Sequence, residues 1–349
     1  MSFRRLGAIY NSIRHVTSYK ASNGRKQGRP HMFNSTHSLL GIAIARSGLD
    51  RWTPHATTTA IVASNLPDID AFTLFADSAI YLEHHRGITH SVFAIPFMAA
   101  FLAGLIYRLS FHSRGGRGNF RGLFGICFIV MMTHPLLDYL TPYGMRPFLP
   151  FEDAWIYGDT LFIVDPTLDA ILLLGVIGTY WSPRHRTVCG VVTLLAIVLY
   201  VGARVELRSR ARMHLAEFVR TIPETTQTAI LPQMLSPFRW TGIVESDTKL
   251  WKLPVDTGTG PGQAILEIEK MPYSVRTRRA AQAPTAAALL GFARFPFMLE
   301  QKLEDGYRVY FVDFRFYSET SGLASAVVLD GNLDILADDW SFNRQIGRE

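Results

Sequence analysis

The stretch His85-Arg86-Gly87-Ile88-Thr89-His90-Ser91 decides how this chain is interpreted, because an apolar segment begins directly after it. Two histidines and an arginine are costly to bury beside such a segment unless a partner compensates them. Gly87 permits backbone angles that other residues avoid. Arg86 could hold a phosphate or a carboxylate through two parallel hydrogen bonds. The stretch therefore predicts a functional site at the N-terminal end of a membrane-like helix.

Three further polar motifs lie on or beside apolar segments. They are Thr36-His37-Ser38, Asn65-Leu66-Pro67-Asp68-Ile69-Asp70 and Thr133-His134-Pro135-Leu136-Leu137-Asp138. His134 and Asp138 are four residues apart on a predicted helix, so their side chains share one face. Asp68 and Asp70 can converge on a cation in a turn. Each motif alone has a structural explanation, as a buried histidine–carboxylate pair or as a capping turn. Together they favour a metal site.

The ligand types favour a catalytic metal site over a structural zinc site. The chain has two cysteines, Cys127 and Cys189, and both lie inside apolar runs without a CxxC pair. Carboxylates and histidines with no cysteine are typical of sites that keep a coordination position open. Asp165, inside an apolar stretch, could bind metal, cap a helix or orient a ligand histidine, and we favour the orienting role.

Composition and apolar runs predict a membrane protein of mainly α fold. The chain is 48% hydrophobic with a net charge of +6, and its mean hydropathy is positive. Four segments have about the length and apolarity of bilayer spans, namely residues 92–109, 122–140, 161–180 and 187–203. Two earlier pieces, residues 36–48 and 56–80, are shorter or broken at Pro67, and they are expected to be re-entrant or half-buried. A soluble protein with a large helical core is the alternative, which repeated runs of this length disfavour.

The composition changes after about residue 204. Residues 204–222 are charged and helix-like, and residues 223–260 are rich in Pro, Thr and Gly. Strands are predicted only beyond residue 260, at residues 262–269, 307–317 and 324–336, with a turn at Asp330-Gly331-Asn332. We therefore predict a polytopic helical membrane domain at residues 32–203 and a small C-terminal extramembrane α+β domain with antiparallel strands at residues 204–349. Residues 1–31 are predicted to be a basic arm, or a segment that precedes a true start at Met32.

The distribution of charge predicts lipid contact and the ends of the spans. Arginines are spread over loops without a compact stripe, so membrane lipid is the expected partner and nucleic acid is not. The loops at 108–121 and 181–186 are basic, whereas the loop at 141–160 is acidic. By the positive-inside rule the basic loops face the cytoplasm and the acidic loop faces outward, which puts His90, His134, Asp138 and Asp165 near the outer ends of their spans. The arginines after residue 203 do not fit that orientation.

The motifs together resemble the YdjM-type inner-membrane metal-dependent hydrolases of bacteria, over roughly residues 33–200. The resemblance rests on Thr36-His37-Ser38-Leu39-Leu40-Gly41, residues 65–70, residues 85–91 and residues 134–144 in that order. It implies a multi-pass protein of the inner membrane that binds metal. The matched candidate ligands are His37, Asp68, Asp70, His85, His90, His134 and Asp138. Seven ligands suit two ions about 3.5–4 Å apart, or one ion with supporting residues.

The leading hypothesis is a membrane-embedded, divalent-metal-dependent hydrolase with one or two ions, expected to be zinc. The metal would lower the pKa of a bound water towards about 7, Asp70 would act as the general base, and Arg86 would stabilise developing negative charge. A site at the headgroup level favours a lipid-like or phosphoester substrate, as does a weak similarity to zinc-dependent phospholipase C enzymes. The alternative is a metal-binding membrane regulator or scaffold without turnover, whose C-terminal domain binds a protein partner. A metal transporter is disfavoured because His90 and His134 lie near span ends.

Overall fold

The computed structural model describes residues 35–75, 77–110, 118–222, 224–318 and 322–341. The arm predicted for residues 1–31 lies outside the described residues. The N-terminal part of the described chain is helical. Its α-helices are α1 Ser35–Arg46, α2 Ala56–Asn65, α3 Ser78–His84, α4 Ile95–Leu109, α5 Phe120–Tyr139, α6 Pro166–Trp181 and α7 Arg186–Val219.

Proline shapes the connection between α2 and α3. The α-helical hydrogen bonding of α2 ends at Asn65, and the chain continues as a 3-10 helix over Leu66–Phe75. Pro67 has no backbone N–H to donate to the preceding turn, which disfavours a longer α-helix here. The break predicted at Pro67 is confirmed, and it turns Asp68 and Asp70 towards the interior.

Two described helices, α5 and α7, are long and apolar enough to cross a membrane. A third candidate is the pair formed by residues 78–90 and α4, which is bent by 80° and is either a broken span or a re-entrant loop. Helix α6 is apolar, but its 16 residues extend only about 24 Å, less than the roughly 30 Å hydrocarbon core. The structure therefore supports two or three candidate spans where four were predicted.

Helix α7 is continuous across the predicted domain boundary at residues 203/204. The apolar segment at 187–203 and the charged segment at 204–219 form one helix of 34 residues. The helix predicted for the charged segment is thus confirmed, but it is joined to the membrane segment without a linker.

A glycine lets α6 and α7 pack closely. A Cβ added at Gly175 would overlap the side chain of Thr193 on α7. We expect Gly175→Ala to destabilise the protein in detergent by about 1–3 kcal/mol, the usual effect of overpacking. The measurement is the thermal unfolding midpoint. The matched control is Gly104→Ala on α4, where an added Cβ has no atom within 4 Å and alanine favours the helix. Equal midpoints for the two variants would refute this packing.

The described residues of the C-terminal part form two antiparallel sheets and two short helices. The first sheet has the order β1-β2-β3-β4, with β5 pairing with β3, and the second has the order β6-β7-β8-β9. The elements are β1 Thr225–Gln233, β2 Ser236–Ser246, β3 Lys249–Asp256, β4 Gly260–Pro261, β5 Leu266–Glu269, α8 Val275–Ala280, α9 Pro284–Phe292, β6 Pro296–Leu303, β7 Gly306–Asp313, β8 Ala324–Asp330 and β9 Ile335–Ser341. The antiparallel α+β character predicted for this part is confirmed.

Strands β1, β2 and β3 lie within residues 223–260 and β4 begins at Gly260, although no strand was predicted in this range. The middle of the first sheet is buried on both faces, so adjacent residues such as Ile243 and Val244 are both inaccessible to solvent. Such strands lack the alternation of apolar and polar residues by which strands are recognised. Pro232 in β1 and Pro254 in β3 weaken the strand signal further.

The C-terminal part packs in layers against the helical part. Helix α7 covers the outer face of the first sheet, through Leu215 against Trp240. The two sheets pack face to face, with Ile243 in the same core as Phe297. Helix α9 covers the far face of the second sheet, where Leu82 of α3 joins the same core. The sheets thus lie at the end of the helical part where His85 follows α3.

Candidate metal centre

The structure brings all seven candidate ligands into one cluster at one end of the helical part. His37 lies in the first turn of α1, Asp68 and Asp70 in the 3-10 segment, His85 and His90 at the break between α3 and α4, and His134 and Asp138 in the last two turns of α5. All seven have little or no exposed side-chain area. The helix ends and turns that carry these seven residues lie together, so four motifs that are far apart in the sequence become neighbours in the structure.

Four ligand atoms of this cluster, one each from Asp68, His90, His134 and Asp138, lie within 4.8 Å of one another. Asp68 Oδ1 lies 3.3 Å from His90 Nε2 and 3.4 Å from His134 Nε2. Asp138 Oδ2 lies 3.2 Å from His90 Nε2 and 3.3 Å from His134 Nε2. Zinc bonds to nitrogen or oxygen of about 2.0–2.1 Å separate tetrahedral ligands by about 3.3–3.4 Å. These four side chains could hold one metal ion without rearrangement.

Three of these four atoms lack other partners. Among the described residues, His90 Nε2, His134 Nε2 and Asp138 Oδ2 are buried and accept or donate no hydrogen bond. Buried polar atoms without partners are rare in folded proteins. Three such atoms that converge on one point fit a divalent ion, which would take a lone pair from each of them.

In both His134 and His90, a hydrogen bond fixes Nδ1, the ring nitrogen that points away from the four-atom group. His134 Nδ1 donates to the carbonyl oxygen of Ser64 at 2.6 Å. His90 Nδ1 lies 3.1 Å from Thr89 Oγ1 and 3.4 Å from Asp70 Oδ2, and Thr89 Oγ1 donates to Asp70 Oδ2. These acceptors favour the proton on Nδ1 and leave the Nε2 lone pair for a metal, as in known metal sites.

Asp70 lies behind the histidines. Its Oδ1 accepts from His85 Nδ1 at 3.0 Å, and its Oδ2 accepts from the backbone N–H of Arg86 at 3.0 Å. Burial raises the pKa of the Asp70 carboxyl, but the hydrogen bonds from His85 and His90 outweigh burial and hold this pKa below its usual range. Asp68, Asp70 and His85 also form a second group close enough to hold an ion, with Asp68 shared between the two groups.

Arg86 is part of the cluster. Its Nη2 lies 2.8 Å from Asp138 Oδ1, and its Nη1 donates to Thr141 Oγ1 at 2.9 Å. The guanidinium group stacks over the ring of Tyr143, 4.7 Å from its centroid. Arg86 thus balances the charge of one ligand carboxylate. Gly87 is required beside it because a Cβ there would overlap the carbonyl oxygen of His84.

His37 lies at the edge of the four-atom group. Its ring stacks on that of His134 with 3.7 Å between the centroids, and its Nε2 is 3.6 Å from Asp138 Oδ1. Its Nδ1 is buried and has no hydrogen-bond partner among the described residues. His37 is therefore placed to contact whatever binds beside a metal.

A cavity of about 180 Å³ opens beside these residues. One part of its wall is polar and includes His37, Asp68, Arg86 and Asp138. The other part is apolar and is formed by Leu137, Leu161, Phe162, Ile163, Val164 and Leu168. The apolar wall reaches the surface, where Ile163 is 44% exposed. The cavity suits a ligand that has a polar head and an apolar tail.

Asp165 lies on the cavity wall and caps α6. Its Oδ1 accepts from the backbone N–H of Thr167 and of Leu168, and Tyr200 Oη donates to it at 2.8 Å. These are the bonds of a helix N-cap, one of the roles that the sequence left open. The favoured role, orientation of a ligand histidine, has no support in these bonds.

Sequence reasoning missed the residues that join the cluster to the C-terminal sheets. Arg315 Nη1 donates to the carbonyl oxygen of Pro142 at 2.8 Å, beside Tyr143. Asp159, counted only as a charge of an outer loop, is buried and pairs with Arg294 at 2.8 Å and Arg208 at 3.7 Å. Tyr143 stood in a quoted motif, whereas Arg315 is 173 residues from Pro142 and gave no signal. The acidic loop and the sheets thus share one end of the molecule with the cluster.

Comparison with known proteins gives a family and a relative. The profile of a family described as YdjM inner membrane protein matches residues 32–210, just over half of the chain. An uncharacterised protein, YfhP of Bacillus subtilis, is 24% identical over 307 residues, which cover 82% of this chain and 88% of that protein. No solved structure matches the chain.

Proposed function

The chain belongs to the YdjM family of inner membrane proteins, and on that premise we propose that it is a membrane-embedded hydrolase that uses a divalent metal. The observation that carries the proposal is the four-atom group formed by Asp68, His90, His134 and Asp138. Its four nitrogen–oxygen distances of 3.2–3.4 Å suit the ligands of one ion, and three of its atoms have no other partner among the described residues. We further propose that the chain crosses the membrane more than once, with α5 and α7 as spans.

We propose that the site holds one ion, expected to be zinc. Asp70 and His85 are already hydrogen-bonded to each other, which favours a supporting role for the second group over a second ion. When bound there, a divalent ion that keeps a further coordination position for water would supply a nucleophile, by lowering the pKa of that water to about 7.

In this proposal three residues around the ion have separate roles in positioning ligands, accepting a proton and stabilising charge. Asp70 positions His85 and His90, because both of its oxygens accept hydrogen bonds; this replaces the free general base expected from the sequence. His37, on the cavity wall, is placed to accept a proton. Arg86, on the same wall, would stabilise negative charge that develops on a substrate.

The shape of the cavity supports a lipid-like phosphoester as substrate. Its polar wall carries the guanidinium of Arg86, which can pair with phosphate oxygens. Its apolar wall reaches the surface beside helices that are apolar enough to lie in a bilayer. An acyl chain could therefore enter from the membrane while the ester group meets the metal centre.

The test is a turnover assay on the full chain in lipid nanodiscs loaded with zinc. The substrates are phosphoesters with long acyl chains, matched to water-soluble phosphoesters of the same head. We expect hydrolysis of the acyl-bearing compounds, its loss on chelation, and its recovery when zinc returns. Asp68→Asn should lower kcat/KM by about 10³-fold or more, since metal catalysis contributes several kcal/mol.

His84→Ala is the matched control, because His84 is next to His85 but exposed and outside the cluster. It should retain full activity. Stoichiometric zinc with no turnover of any phosphoester would favour the other reading, a metal-binding regulator or scaffold whose C-terminal part binds a protein.

A further inference from the structure

The tip of the β1–β2 hairpin, residues 233–238, exposes apolar side chains. Leu235 is 83% exposed, Phe238 is 56% exposed and Met234 is 45% exposed. Turns in water normally carry Gly, Asn, Asp or Ser. The comparable two-residue turns of the C-terminal part are polar, with Asp247-Thr248 between β2 and β3 and Glu304-Asp305 between β6 and β7. The hairpin tip is therefore more apolar than the comparable turns, as expected of a turn that contacts something other than water.

The hairpin tip lies where the apolar section of α7 ends. Arg204 Nη1 donates to the carbonyl oxygen of Pro237, and Leu235 lines a small cavity with Tyr200 and with Pro166 at the start of α6. The helix from Arg186 to Arg204 rises about 27 Å, close to the thickness of the hydrocarbon core. If α7 spans the bilayer, the hairpin tip is level with one edge of the hydrocarbon.

Helix α7 also exposes apolar side chains in the turns that lead to the level of the hairpin tip. Leu195 is 58% exposed, Val198 is 67% exposed and Leu199 is 74% exposed. Contiguous apolar surface of this kind marks a contact with lipid or with another protein. On a helix apolar enough to cross a membrane, the contact is lipid, and the hairpin tip exposes apolar side chains where this section of the helix ends.

Charge next to the hairpin tip fits a membrane surface. Residues 204–220 of the chain hold five arginines and two glutamates, directly beyond the apolar section of α7. Arg204 is buried, Arg208 pairs with Asp159 and Arg210 pairs with Glu206, whereas Arg212 is exposed. Each basic residue near an anionic bilayer contributes about 1 kcal/mol of attraction, and apolar residues beside basic ones are typical of interfacial segments.

We propose that the hairpin tip inserts into the interface of the bilayer, with anionic phospholipid as its partner, and so seats the C-terminal sheets on the membrane beside the metal centre. A second copy of the chain is a poorer occupant, because three side chains are far from the roughly 800 Å² that each partner buries in a standard interface. The inference concerns a surface outside the metal centre, and it does not depend on turnover.

The test places an environment-sensitive NBD fluorophore at the hairpin tip of the full chain. Leu235→Cys is labelled in a background with Cys127→Ala and Cys189→Ala, and the protein is reconstituted in phosphatidylcholine–phosphatidylglycerol vesicles. The matched control is Asn332→Cys, in the exposed turn between β8 and β9. We expect a blue-shifted emission at position 235 that doxyl-labelled acyl chains quench and aqueous iodide does not. At position 332 iodide should quench and doxyl lipid should not.

Two results would overturn the inference. Equal iodide quenching at both positions would mean that the hairpin tip is in water. A blue shift at position 235 without doxyl quenching would mean that protein, such as a second copy of the chain, covers it. Vesicles of phosphatidylcholine alone separate the contribution of charge, since insertion should be weaker without the anionic lipid.

Discussion

Replacing His134 by alanine is expected to remove the metal from the purified protein. The wild type should carry one zinc ion per chain, measured by elemental mass spectrometry on the detergent-solubilised protein. His134 supplies one corner of the four-atom group, and its ring is held by the Ser64 carbonyl. Loss of a partner that only orients a ligand weakens metal binding by about 10–100-fold, so loss of the ligand itself should exceed that range.

Asp70→Asn provides a graded comparison. Asp70 orients His85 and His90 but lies outside the four-atom group. We expect this variant to bind one zinc ion at saturation with affinity about 10–100-fold lower than the wild type. His84→Ala should bind as the wild type does, and a monodisperse elution profile for each variant checks that it is folded. Two ions in the wild type, with only one lost in Asp70→Asn, would show instead that the second group binds metal.

Replacing Arg315 by alanine is expected to produce the largest loss of stability among single changes in the C-terminal part. Arg315 has no exposed side-chain area, and its Nη2 pairs with the equally buried Asp313 at 2.6 Å. The same guanidinium donates to carbonyl oxygens of Pro142 and Phe292. Removal of one partner of a buried ion pair leaves the other charge uncompensated and costs about 3–5 kcal/mol.

This loss should appear as a fall in the thermal unfolding midpoint of about 4–7 °C, because the unfolding entropy of a chain of this length is about 0.7 kcal/mol/K. Lys302→Ala, on an exposed position of β6, is the control and should change stability by less than about 0.5 kcal/mol. The double variant Arg315→Leu/Asp313→Leu should be more stable than Arg315→Ala, because no buried charge remains. If Arg315→Ala unfolds at the wild-type temperature, the ion pair contributes nothing to the fold.

The cluster could be predicted from the sequence, because its ligands are short-range patterns. His134 and Asp138 are one helical turn apart, and Asp68 and Asp70 follow a proline that ends a helix. The sequence does not show that Asp68 belongs to the four-atom group while Asp70 supports the histidines, since both are acids in the same motif. Only the positions of His85 and His90 decide which carboxylate faces the four-atom group and which lies behind it.

The fold was harder to predict where burial is complete. The middle residues of β1, β2 and β3 are covered on both faces, by α7 and by the second sheet, and this removes the alternation on which strand prediction depends. The number of spans was overestimated because apolarity alone does not fix helix length: Pro166 sets the start of α6, and the helix ends at Trp181. Long-range partners such as Arg294 and Asp159 carry no local signal.

The order of the chain has a consequence for biosynthesis. Every residue of the cluster has been made once Asp138 is synthesised, whereas Arg315, which joins the sheets to Pro142, comes 173 residues after that proline. At roughly 5–20 residues per second, the ribosome needs about 10–35 s to bridge that interval. During those seconds the nascent helices already carry a full ligand set while the sheets that later cover this end do not yet exist. If the cluster binds an ion as we propose, the ion can enter before the sheets cover this end, and a chain made without the ion would close over an empty cluster.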